Sequence, residues 1–231
     1  MEWLGFTHSE AEAIWLTVKV ATISSFAGLP VALFIAWLLA RKNFPGKIIL
    51  EGLINMPLVA PPVVTGYLLL LLFGRKGFFG IWLEQLFGIR LAFSFSALII
   101  ASVVVSLPLA VRTIKSAFQL VDKSLEEAAR TLGASSLSAF FRITIPLALP
   151  GILSGMVLTF ARSIGEFGAT ITFAGNIPGK TQTISTMVFS FMQSPGQDMA
   201  TLRLVIISVF ISIMAIISSE YIQKRKKMLI R

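Results

Sequence analysis

The sequence predicts an all-α integral membrane protein with about five transmembrane helices and one cytoplasmic helical hairpin. Three observations predict it. Hydrophobic residues make up 55% of the 231 residues and charged residues 13%, where soluble domains carry about a quarter. The mean hydropathy is +0.84. The charges are also unevenly spaced, leaving long runs with none. An extracellular disulfide scaffold is excluded by the lack of cysteine. His8 is the one histidine, so metal and thiol chemistry is poorly supplied.

The uncharged runs are 20–40, 52–74, 91–111 and 143–161, of 21, 23, 21 and 19 residues. A helix needs about 20 apolar residues to cross a ~30 Å hydrocarbon layer. The predicted spans are 13–40, 48–73, 92–114, 147–174 and 202–222, in a single transmembrane domain covering 1–231. The last has 16 uncharged residues, 204–219. It reaches across if Arg203 snorkels at one end and Tyr221 sits in the interfacial belt at the other. Segments 78–89 and 183–194 are short, the first interrupted by Glu84, and read as interfacial or re-entrant pieces. The first run is too long for a signal-peptide core and has no positive leader, so it reads as a span that is not cleaved. There is no internal repeat.

The net charge of +9 raises nucleic acid as a partner. A nucleic-acid binder, however, gathers its basic residues on one polar face. Here they sit mostly in short loops, and 13 of the 20 fall in segments 41–47, 112–146 and 223–231, which five crossings place on one side. Basic loops stay cytoplasmic, so the N-terminus is expected outside and the C-terminus inside, with K-R-K-K at 224–227 as an anchor.

The longest polar segment, 115–146, looks folded. Ser124 with Glu127 has the spacing of a capping box. Leu125, Ala128, Ala129 and Leu132 fall at i, i+3, i+4 and i+7, one helical stripe. Gly133 sits where a helix end wants left-handed backbone. A second short helix starting near Ser136 would carry Leu137, Phe140 and Phe141, and Pro146 would begin the next span. Exposed phenylalanines imply a cover, either the chain's own membrane domain or a partner.

E-A-A-R-T-L-G at 127–133, then nine residues, then I-T-I-P at 143–146, resembles the E-A-A-x3-G-x9-I-x-L-P motif of importer-type ABC permeases. One position departs, Ile145 for leucine, a volume-conserving swap. The resemblance implies that 136–141 is a coupling helix seated in a groove of a cytoplasmic ATPase. Glu127, Ala128, Ala129, Gly133, Ser136, Leu137, Phe140, Phe141, Ile143 and Pro146 would then form the coupling element.

Two features stand out inside the spans. Pro57, Pro61 and Pro62 lie within six residues, which breaks a helix. The half-helix starting at Pro61–Pro62 could turn amides toward an anion, or the prolines could only shape packing. Arg162-Ser-Ile-Gly165-Glu166-Phe167-Gly168 places two charges in the fourth span. Four apart, they can pair with each other as a structural bridge, or they can line a translocation path with the glycines as a close-packing or hinge element.

The stretch A-R-S-I-G-E-F-G-A-T-I-T-F-A-G-N-I-P-G-K-T-Q-T, 161–183, resembles the permease subunits for molybdate. G-E-F-G is shared with sulfate permeases, and P-L-V-A-P-P-V-V-x-G at 57–66 fits the same group. The resemblance implies a type I ABC importer. Two copies of the chain would form the pore, two cytoplasmic ABC ATPase subunits would use the ATP, and an extracytoplasmic binding protein would deliver molybdate. This chain would be a multi-pass protein of a prokaryotic plasma (inner) membrane, surrounded by lipid. It would bind no cofactor, metal or nucleic acid and catalyse nothing itself. Tungstate or sulfate is the alternative cargo. The string Gly179-Lys180-Thr181 lacks the earlier glycine of a phosphate loop. A passive channel would not need the hairpin. An intramembrane enzyme would need a nucleophile and base that the spans do not hold.

Overall fold

The computed structural model describes residues 7–227, and every regular element among them is helical. In chain order these are α1 (His8–Arg41), α2 (Lys47–Val59), α3 (Pro62–Phe73), α4 (Phe78–Phe87), α5 (Phe95–Leu120), α6 (Lys123–Thr131) and α7 (Ser136–Ala139). A π turn (Phe140–Thr144) leads into α8 (Ile145–Ile164), α9 (Gly168–Phe173), α10 (Ile184–Met192) and α11 (Asp198–Lys227). Residues before Thr7, Arg231 and the side chains of the 224–227 basic anchor lie outside the described part.

α5 is the central post, with α1 and α8 packed along it. Its inward face carries Ala97, Ala101, Val105, Ala110 and Ile114, mostly small side chains that let the neighbouring helices come close. One core cluster joins α1 (Ala32, Ala36, Leu39), α5 (Val111, Ile114, Phe118) and α8 (Ala148, Ile152). A second joins α3 (Leu69), the start of α5 (Leu98) and α9 (Ala169, Phe173). Of the apolar window of α5, 56% is buried within the chain, against 11% for α11. α11 is therefore a peripheral helix whose apolar surface is left to other molecules, lipid or protein.

Among the described residues, four helical stretches are long and apolar enough to cross a membrane: His8–Arg41, Phe95–Leu120, Ser136–Ile164 and Asp198–Ser218. The pair α2 and α3 makes a fifth only if counted as one span, because the two halves meet at 115°. The bend follows from proline chemistry. Ala60 precedes Pro61 and is extended (φ −67°, ψ 143°); Pro61 precedes Pro62 and is extended too (φ −53°, ψ 132°). A residue before proline is pushed out of the α region, so two in succession turn the chain.

Three expected boundaries are corrected. α5 runs on to Leu120, so Arg112 and Lys115 stand on a helix rather than in the loop 112–146. Lys115 pairs there with Glu51 of α2 at 2.5 Å. The span expected over 147–174 is not one helix: it ends at Ile164, breaks at 165–167, and resumes as α9. Pro146 does stand in the first turn of α8, but that helix is not a fresh start: α7, the π turn and α8 form one continuous stretch of 29 residues. The Ile145 amide reaches back five residues to the Phe140 carbonyl. The extra residue in that turn accommodates a proline that has no N–H and would crowd the carbonyl four back.

Candidate functional site

The hairpin is fixed by its ends. α6 starts on Asp122, whose carboxylate accepts the Ser124 amide at 2.9 Å. The capping box expected at Ser124 and Glu127 does not form. Asp122 caps as well as serine, with a charge-assisted bond, and takes the role two residues earlier. That same amide holds the Asp122 carboxyl below the usual carboxylate range. At the other end Gly133 is left-handed (φ +90°). The Gly133 amide bonds to the Arg130 carbonyl and the Ala134 amide to the Ala129 carbonyl, both at 3.0 Å. These two bonds are a Schellman closure. Ser135 then caps α7 by accepting the Ser138 amide at 3.2 Å.

The hairpin's apolar crest is open. α6 buries none of its side chains, and Leu132, Leu137 and Phe141 are 89%, 71% and 60% exposed. Glu127, Ala128 and Ser136 are exposed beside them, Ala129 is half-buried, and Glu127 and Ser136 line a polar recess with Arg130 and Ser135. Phe140 departs from expectation. It points inward, half-buried, with its ring 6.1 Å from Trp37 and 5.9 Å from Phe118. Ile143 is half-buried and Pro146 exposed.

Within the membrane-spanning part, the two broken regions meet. A Cβ added at Gly168 would lie 2.7 Å from the Pro62 Cβ, and one at Gly66 would lie 2.7 Å from the Ala169 carbonyl oxygen. α3 and α9 thus pack backbone to backbone, as small residues allow. Arg162 Nη1 lies 2.7 Å from Glu166 Oε2, so the internal pair forms. Glu166 sits in the break, 3% exposed, and its other oxygen accepts the Ala169 amide at 2.9 Å, capping α9. The Phe167 ring lies 4.9 Å from that of Phe189, and Gly165 is exposed. Pro57 is half-buried within α2, while Pro61 and Pro62 are exposed. The start of α3 offers an anion few donors. Pro61 at its N-cap and Pro62 at its first position have no N–H, and the Val64 amide already bonds to the Pro61 carbonyl at 2.9 Å. Among the described residues no group of three His, Cys, Asp or Glu could hold a metal.

With this geometry in place, a family match extends along most of the sequence. Residues 28–228 match the binding-protein-dependent transport system inner membrane component family. This chain belongs to that family. The Molybdenum transport system permease protein ModB of Haemophilus influenzae is 51% identical over 216 residues, 94% of each chain. The Sulfate transport system permease protein CysT of Escherichia coli is 35% identical over 192 residues, 83% of this chain and 69% of that one. Among solved structures, a bacterial ABC transporter involved in the import of the acidic polysaccharide alginate superposes with a TM-score of 0.73, at 18% identity, over 96% of this chain and 81% of that one. That likeness shows the fold.

The family motif singles out Glu127, but the neighbouring carboxylate does the internal joining. Glu126 Oε1 lies 2.7 Å from Arg41 Nη2 at the end of α1, and accepts the Thr144 hydroxyl of the π turn at 2.6 Å. The same Arg41 nitrogen donates to the Val121 carbonyl at 3.1 Å. Sequence reasoning passed over Arg41, Glu126 and Thr144. The partners stand 85 and 18 positions apart, too far for a periodicity or capping pattern to register.

Proposed function

We propose that this chain is the membrane-spanning permease subunit of an ATP-driven importer for molybdate. It works as a homodimer in a prokaryotic inner membrane, with its N-terminus outside and its C-terminus in the cytoplasm. The observation that carries the reading is the 51% identity to a molybdenum permease over 94% of both chains, against 35% to a sulfate permease. The exposed crest of Leu132, Leu137 and Phe141 supports a cytoplasmic ATPase as the second partner, because an apolar ridge on a polar loop calls for a groove to cover it. Two such subunits would take the ATP, and a soluble extracytoplasmic binding protein would hand over the oxyanion. The joined breaks at Pro61–Pro62 and 165–168 are the proposed wall of the path, with the Arg162–Glu166 pair holding its inner turn. Lipid covers the outer face of α11.

The mechanism is alternating access. Closure of the ATPase pair displaces the hairpin, and the continuous helix 136–164 carries the displacement into the pore. Packed elements move as units rather than deforming smoothly. The decisive experiment places the chain, its ATPase and its binding protein in proteoliposomes and measures molybdate accumulation. Uptake that needs ATP and is displaced far better by molybdate than by sulfate is the expected result. Flux that persists without ATPase would make the chain a passive channel. Equal competition by sulfate would move it to the sulfate branch.

A further inference from the structure

We propose that Glu126, together with Arg41 and Thr144, is the joint that makes the hairpin move with the pore. It is a set of positioning residues distinct from the residues of the family motif. The inference rests on the importer reading and deepens it. α6 contributes no buried side chain to the core, so apolar packing does not hold it to the rest of the chain. Among the described residues, the side-chain hydrogen bonds that tie it to other helices all run through one carboxylate. Glu126 receives the Arg41 guanidinium from α1 and the Thr144 hydroxyl from the π turn below α8. Arg41 adds the Val121 carbonyl at the end of α5. Three long helices and the hairpin therefore converge on a few polar atoms.

The setting makes those contacts count. The Arg41 side chain is 8% exposed and Thr144 is fully buried. Glu126 itself is 26% exposed, so the pair is only partly withdrawn from water, and the cost of breaking it falls mainly on the buried Arg41, which is left with an uncompensated charge. The guanidinium presents donors in a fixed planar fork, so the joint constrains direction as well as distance. The second arm of the hairpin is packed through Phe140 against Trp37 and Phe118. The first arm, α6, is tied by this directional pair, which transmits a push to α1 and α8 or lets go.

The test uses the full complex in proteoliposomes, with ATP hydrolysis and molybdate uptake read in the same vesicles. Glu126→Gln and Thr144→Val should leave ATP turnover standing while molybdate moved per ATP falls roughly tenfold, the size of a typical coupling between sites. Thr144→Ser, which keeps the hydroxyl, should restore the ratio. Uptake and hydrolysis falling in parallel, or neither changing, would overturn the joint. A second measurement needs no transport. The chain has no cysteine, so spin labels can be placed at Lys123→Cys on α6 and Asn43→Cys just beyond α1. In the otherwise native chain the distance distribution between them should be narrow, and it should broaden with Glu126→Gln. An unchanged distribution overturns the joint. Wild-type vesicles that do not import molybdate under ATP overturn the functional reading instead, and leave the label result to decide the joint.

Discussion

The hairpin and the α3–α9 contact are built on opposite principles. The hairpin is specified locally, with a cap at Asp122, a left-handed turn at Gly133 and a second cap at Ser135, and it leaves its apolar residues outside. The α3–α9 contact depends on residues about a hundred positions apart, Gly66 with Ala169 and Pro62 with Gly168, and no larger side chain fits between them. One region has its shape before it has a partner. The other has its shape only because its partner is already there. The proposed docking surface needs the first property, and the proposed wall of the path needs the second.

The largest expected effect tests the buried side of that contrast. Glu166→Gln leaves Arg162 without its counter-charge beside a buried amide, and should lower the stability of the purified chain in detergent by about 3 kcal/mol. Denaturant unfolding checks it; a loss within error would mean that the pair is solvated and the contact looser than described. Next, Gly66→Ala puts a methyl 2.7 Å from the Ala169 carbonyl oxygen, at a cost of about 2 kcal/mol by the same measurement. Gly133→Ala meets no atom within 4 Å and pays only for its left-handed backbone, about 1 kcal/mol. If the Gly133 variant lost more stability than the Gly66 variant, the two regions would have been ranked the wrong way round.

The smallest effect is a pH response. The Ser124 amide favours the charged form of Asp122, so the folded carboxyl titrates lower than the unfolded one. The stability this contributes is present above the ordinary aspartate value of about 4 and is lost as the pH falls through the lowered folded value. The Ser124 amide resonance should follow that loss in acid, and Asp122→Asn should abolish the dependence. A resonance that titrates in the Asn variant would point to another acid.

The same contrast explains how much could be read from the amino acids alone. The five hydrophobic segments, the hairpin and the Gly133 turn were legible because each rests on composition, periodicity or a residue type that one backbone shape demands. The break around Ala60 was legible for the same reason, since three prolines leave little choice. The break at 165–167 was not, because Gly165 and Gly168 are equally compatible with a close-packed continuous helix. Nor was the inward turn of Phe140. A strict α period through Pro146 puts that ring outside, and only the π turn rotates it against Trp37 and Phe118. Glu126 was hidden beside a more conspicuous glutamate, with its partner on another helix.

The unbroken passage from Ser136 through the π turn to Ile164 has a consequence of scale. At 1.5 Å per residue, 29 residues make a rod roughly 43 Å long, from the hairpin to the turn that holds Glu166. A tilt of about ten degrees at the foot swings the far end by roughly 7 Å. In the proposed importer, the gearing between a stroke at the hairpin and the opening of the path would be set by helix length, and shortening the rod by one turn would lower it without touching the proposed docking or path residues.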